Sequence, residues 1–188
     1  MDKLIISLDG TTQESYSAYR SGGSFDKVIE GVENIVKTKS ELKRKNPFIV
    51  LQFLVFRHNE NELTEIKKLA KKLKVNKFEL KSAQIYDFEN GNILIPSNKK
   101  YSRYRKVGEK YIIKNKLKNK CFRLWTNPVI TYDGKVVPCC FDKNAEYKLG
   151  DLKKNTFNEI LNDKFYKKFR KKNLSHRDII SICKNCTE

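Results

Sequence analysis

The sequence has no run of about 18 apolar residues, the length a transmembrane helix needs, so no membrane-spanning segment is expected. Its opening, MDKLIISLDG, lacks the cleavage-type end of a signal peptide, because acidic Asp9 follows a very short apolar run. Both absences lead to the expectation of a soluble, cytoplasmic chain with no membrane partner. Arginine is scarce too. The 188 residues carry 40 basic side chains and a formal net charge of +18, but only eight are Arg and 32 are Lys, scattered from Lys3 to Lys184. Arg supplies the forked contacts of specific phosphate and base recognition. Diffuse lysine instead reads as a solvated surface, so nucleic acid is not the expected partner. No internal repeat is visible, and no cysteine precedes residue 121.

What is present is a periodic, foldable chain, 39% hydrophobic and long enough to bury a core without staples. Residues 4–10, LIISLDG, read as a buried strand ending in an Asp-Gly turn. Thr11 and Glu14 have the spacing of a capping box for a short helix. Ser24 can cap a second helix, with Phe25, Val28, Ile29, Val32, Ile35 and Val36 on one face. Residues 48–56, FIVLQFLVF, form a continuous apolar run of strand length, as in a strand buried on both faces. Residues 59–73 make an amphipathic helix with Leu63, Ile66, Leu69, Ala70 and Leu73 inward. KFELKS at 77–82 is a further strand. Strand, helix, strand, helix, strand predicts parallel strands with crossover helices, an α/β class.

Residues 83–120 change character. Gly, Pro, Asn and many lysines suggest an extended connector, with one hairpin near Asn90-Gly91. A third section starts at Cys121. VITYDGKVV predicts a hairpin turning at Asp133-Gly134, where Gly accepts the positive φ such turns need. Thr156 and Glu159 form a second capping box, opening a helix with Phe157, Ile160, Leu161 and Phe165 on one face.

All five cysteines, Cys121, Cys139, Cys140, Cys183 and Cys186, lie in that last third, which suggests that they act together. Cys183 and Cys186 form a C-x-x-C pair, so one turn can aim two thiolates at one metal centre. Disulfides fit poorly with a cytosolic chain and an odd count. Structural zinc suits four thiolates but normally uses two close pairs. A redox C-x-x-C normally heads a helix after a strand. A cluster held by four thiolates is the fourth reading, beside these three.

The combination of Cys121, Leu124-Trp125, Asp133-Gly134, Cys139, Leu149-Gly150 and the terminal C-x-x-C resembles the SPASM/Twitch auxiliary-cluster domain of radical S-adenosylmethionine (SAM) enzymes. The resemblance implies an auxiliary [4Fe–4S] cluster on Cys121, Cys139, Cys183 and Cys186, in the shorter, single-cluster, Twitch-like arrangement. Cys140 would be spare, since adjacent residues of an extended strand face opposite ways; a local bulge would exchange the two. Lys143, Lys184 and Arg123 would stabilise the cluster's negative charge.

The resemblance extends to residues 1–82, which are similar to the C-terminal half of a radical SAM partial barrel. It implies SAM contacts from Ser7, Asp9 and Arg20, although Ser and Asp at a strand end also make turns and Arg at a helix end also serves the dipole. The expected organisation is therefore the barrel fragment at 1–82, the connector at 83–120, and a hairpin-plus-helix auxiliary-cluster domain at 121–188. The family's C-x-x-x-C-x-x-C, which holds the SAM-cleaving cluster, is missing here. The chain by itself is thus expected not to cleave SAM and to need an N-terminal radical SAM half, an electron-donor protein and a peptide or small-molecule substrate. Joined to that half, it would belong to an oxidoreductase or maturase. Two other function classes predict different behaviour: a zinc-binding interaction module, and a basic nucleic-acid binder using Tyr101, Arg103, Tyr104 and Arg105.

Overall fold

The apolar run at 48–55 becomes the middle strand of a parallel sheet in the computed structural model, which describes residues 1–186. The chain divides into two units, Met1–Lys114 and the residues from Asn115 onward. In the first, β1 (Lys3–Ser7), β2 (Phe48–Val55) and β3 (Lys77–Ser82) lie side by side in that order. Lys3 stands opposite Phe48, and Val50 opposite Lys77. Parallel neighbours cannot be joined by a tight turn. The crossovers are α1 (Gln13–Ser17) and α2 (Phe25–Glu41) before β2, and α3 (Leu63–Lys72) after it. Leu8, Leu51, Phe53 and Val55 pack with Tyr16 of α1 and with Ile66 and Ala70 of α3. This is the α/β class that the alternating pattern predicts.

Local details depart from the sequence reading where polar side chains found distant partners. The cap of α1 is Thr12, paired with Ser15, and not Thr11 with Glu14. Thr11 is drawn away because its N–H and hydroxyl both donate to the Glu62 carboxylate, at 2.7 and 2.8 Å. Helix α3 starts four residues later than Asn59, because Asn59 is buried beside the sheet. Its Oδ1 accepts from Phe56 N–H (2.7 Å), and its Nδ2 donates to the carbonyls of Asp9 (2.9 Å) and Leu54 (3.0 Å).

Residues 83–114 fold as part of the first unit. Their hairpin is β4 (Tyr104–Val107) with β5 (Lys110–Ile113), not a pair around Asn90-Gly91. Phe56, Ala83, Ile85, Phe88, Ile95 and Tyr104 form a separate core. The Phe88 and Tyr104 rings stack at 4.5 Å. The Tyr104 hydroxyl accepts from Ile85 N–H (2.7 Å) and donates to Ile85 O (3.1 Å). Tyr104 therefore has no face to offer a nucleic-acid base, which removes one of the aromatics on which that alternative stood.

The second unit opens with the short helix α4 (Arg123–Thr126), followed by a small antiparallel sheet of β6 (Val129–Ile130), β7 (Lys135–Val137) and β8 (Gly150–Asp151). The β6–β7 turn falls at Asp133-Gly134, with Gly134 at φ +85°. Helices α5 (Phe157–Asn162) and α6 (Lys164–Ser175) follow, then a 3₁₀ turn (Arg177–Ile179) and α7 (Ser181–Lys184). The Thr156–Glu159 capping box is present. The single helix expected after it is broken at Asp163, whose backbone is extended and whose side chain accepts from Phe165 N–H at 2.7 Å to start α6. The break shifts the helical phase. Phe157 and Phe165 become exposed, while Ile160, Tyr166 and Phe169 enter the core. Among the described residues, no helix is long and apolar enough to cross a membrane.

Candidate metal centre

The four cysteines singled out by the sequence come from three segments of the second unit, and two of them, Cys121 and Cys183, pack on one core. Cys121 immediately precedes α4 and is half-buried against a cluster formed by Leu124, Val136, Leu149, Ile160, Tyr166, Phe169, Ile180 and Cys183. Cys139 follows β7, past the fully buried pair Val136 and Val137, and is itself buried. Cys183 lies in α7, where its N–H donates to Ile180 O at 2.9 Å; Cys186 N–H donates back to Cys183 O at 3.0 Å. That tight turn buries both thiols of the C-x-x-C pair.

Cys139 and Cys140 point to different environments, although they lie in a turn past the end of β7 and not on the extended backbone that strict alternation requires. Cys139 is 8% exposed, whereas Cys140 faces solvent, with Arg123 Nη1 4.0 Å from its Sγ. Arg123 thus stands beside the spare thiol. The loop after the pair is ordered by buried Asp142, whose carboxylate accepts from Glu146 N–H (2.8 Å) and Tyr147 N–H (2.9 Å). Tyr147 then reaches α7: its hydroxyl lies 3.0 Å from Ser181 Oγ and accepts from Ser181 N–H at 3.2 Å.

Electrostatics tie the thiols together. Burial pushes the Cys139 thiol up to about 11, and the neighbouring Cys140, Cys183 and Cys186 add repulsion. Burial also raises Cys183; Arg177 opposes that shift, whereas Cys186 and Cys121 add to it. Each of the four cysteines therefore lies within the field of another. Cys139 and Cys183 thus resist ionisation by themselves, and a cation core that takes thiolates removes the repulsion. Asn173, fully buried on α6, points its Nδ2 at Cys183 Sγ, 3.5 Å away. Hydrogen bonds of this kind adjust ligand sulfurs.

Among the described residues, no three His, Cys, Asp or Glu side chains converge closely enough to enclose a single ion. A tetrahedral zinc, with sulfur at about 2.3 Å, asks for sulfurs within about 4 Å of one another. A four-iron cluster places one thiolate on each iron and spreads the sulfurs around a larger core. The donor set, four thiols of which three are buried and one half-buried, is all sulfur, as the latter chemistry requires.

In the first unit Asp9 and Arg20 meet. Arg20 Nη2 and Nε each lie 2.7 Å from Asp9 Oδ2, and Leu54 N–H donates to Asp9 Oδ1 at 2.8 Å. Asp9 is fully buried and Arg20 partly exposed. Ser7 ends β1, half-buried, opposite Gln52. Sequence reasoning missed Asn173 and Arg177. Neither belongs to a recognisable motif, and Arg177 is hidden among 40 basic residues.

Comparison with known proteins agrees with the cysteine geometry. Residues 121–187 match the SPASM family, described as an iron-sulfur cluster-binding domain. Over 58 residues the chain is 43% identical to the cysteine-type anaerobic sulfatase-maturating enzyme of Clostridium novyi (strain NT). The matched stretch is 31% of this chain and spans only 15% of that relative's length. No solved structure matches the chain. With three of the five cysteines buried, a fourth half-buried and the matching residues starting at Cys121, the C-terminal section of the chain is similar in sequence to the SPASM iron–sulfur cluster-binding domain.

Proposed function

We propose that the second unit holds one [4Fe–4S] cluster through Cys121, Cys139, Cys183 and Cys186, and that the chain serves as the auxiliary-cluster part of a radical SAM enzyme. One observation carries this reading: Cys139, Cys183 and Cys186 are buried and Cys121 is half-buried, while the fifth, Cys140, faces solvent. Such a cluster, when bound, supplies one-electron chemistry. The chain's own residues then exclude water from it (Leu124, Tyr166, Ile180) and donate to its ligands (Asn173).

The three parallel strands with helical crossovers support a partial-barrel origin for residues 1–82. Ligands of open parallel sheets collect at the carboxyl ends of strands, where Ser7 stands and where the Asp9–Arg20 pair closes the turn. In the complete enzyme these three residues would border SAM, and an N-terminal half would bring the SAM-cleaving cluster. The relative's name makes a polypeptide the first substrate class to try, with a small molecule as the second. A one-electron donor protein and a reducing cytoplasm complete the setting.

The test is anaerobic purification and reconstitution with iron and sulfide. About four irons per chain and a brown colour are expected. A colourless protein that retains one zinc on the same cysteines would make the second unit a zinc module instead.

A further inference from the structure

Of the 40 lysines and arginines in the chain, Arg177 is the only one that is buried among the described residues. A buried cation is costly unless its hydrogen bonds and charge are met locally. Arg177 Nη1 donates to two backbone carbonyls, Lys118 O at 3.0 Å and Lys120 O at 2.6 Å. Its own N–H donates to Asn119 Oδ1 at 3.2 Å, and Asn119 Nδ2 donates to Ser175 O at 2.9 Å. These four bonds tie the three residues before Cys121 to the segment that leads into α7. Nη1 thus sits 2.6 Å from the carbonyl of the residue that precedes Cys121, which places the guanidinium charge beside that ligand's segment, and the charge opposes the rise that burial imposes on the Cys183 thiol. Neither the capping of α6 nor the packing of the apolar core needs a guanidinium at this place. The segment ending at Cys121 uses it directly.

We propose that Arg177 is the positioning residue of the metal centre: it pins the 118–120 backbone so that Cys121 stands with the C-terminal cysteines, and it sets a fixed positive charge against the ligand sulfurs. This rests on the four-cysteine cluster reading. Arg suits the task better than Lys, because one nitrogen of a rigid, planar group holds both carbonyls while the charge stays delocalised over the whole guanidinium. A cation near a cluster favours the more negative, reduced state and so raises its potential.

The test compares Arg177→Gln and Arg177→Lys in the full chain after anaerobic reconstitution, with three readouts: iron per chain, midpoint potential, and amide exchange over residues 118–121. In R177Q, bound iron is expected to fall at least twofold, with exchange at 118–121 at least tenfold faster. In the molecules that load, the potential should drop by at least 59 mV, a tenfold shift of a one-electron equilibrium. R177K keeps the charge and loses the planar group, so it should restore the potential toward wild type while exchange stays fast. An R177Q protein with wild-type potential, or with wild-type exchange at 118–121, overturns the proposal. Should R177Q fail to fold or to load, Asn119→Ala decides. Asn119 is exposed and lies outside the core, so this variant should keep its iron and potential but exchange at least tenfold faster at 118–121. Unchanged exchange there overturns the proposal. A wild-type chain that takes up no iron defeats the cluster reading itself; once iron is bound, the variants judge Arg177 alone.

Discussion

Ile160 Cγ2 lies 2.4 Å from the point where a Cβ on Gly150 would stand. The side chain of α5 thus occupies the space that every other amino acid would need at this β8 position. This gives the Leu149-Gly150 part of the cysteine-domain signature a steric reason: α5 closes on the sheet only over a glycine. Gly150→Ala should destabilise the second unit by about 1–3 kcal/mol through overpacking, read by urea unfolding. As a control, Gly31 inside α2 has open space around it. Gly31→Ala should stabilise the first unit by about 0.5–1 kcal/mol.

The burial pattern of the thiols assigns each cysteine an expected outcome. Serine at Cys121, Cys139, Cys183 or Cys186 should reduce bound iron to near zero, because metal and local folding are coupled. Cys140→Ser should leave iron per chain unchanged, since its thiol faces solvent. Loss of iron in C140S together with retention in C139S would exchange the roles of the two neighbours.

In the first unit, Arg20→Met would leave the fully buried Asp9 carboxylate without its cation. A loss on the order of 3 kcal/mol is expected, the size seen when one partner of a buried pair is removed. Asp9→Asn in the R20M background should recover part of it, because the neutral amide no longer carries a buried charge. Strict additivity of the two changes in denaturant unfolding would mean that the pair is uncoupled.

The β6–β7 turn has an acid limit. Lys135, at 2.8 Å, and Thr131, at 2.5 Å, hold the Asp133 carboxyl at about 2, below its ordinary 3.8. A carboxylate depressed on folding contributes stability that is fully present above 3.8 and is lost as pH falls through 2. NMR titration of Asp133 should show a midpoint near 2, and Asp133→Asn should remove the pH dependence of the turn between 4 and 2. A midpoint at 3.8 would mean that the contacts do not persist in solution.

Legibility followed the range of the interactions. The 48–56 strand, the Asp133-Gly134 turn, the Ser24 cap and the Thr156–Glu159 box depend on residues within a few positions of one another, and each is found where the pattern puts it. The Thr11 cap failed because Glu62, some fifty residues away, captured that threonine. The core of Ile85, Phe88, Ile95 and Tyr104 escaped notice because its members share no helical or strand period and meet only after the chain turns back on itself. Asp163 could be seen as a capping type, yet a sequence alone does not say that it ends one helix and begins the next. At the proposed metal centre the four candidate cysteines were legible through their spacing. Their neighbours Asn173 and Arg177 were not, since a single amide or guanidinium has no signature until a sulfur is placed beside it.

The outward-facing Cys140, one residue beyond a buried neighbour, gives the molecule a ready-made attachment point. A maleimide fluorophore should react there first, and the dye would then sit next to the proposed cluster. Quenching of its emission would follow assembly and decay of that centre in real time, without a single substitution in the polypeptide.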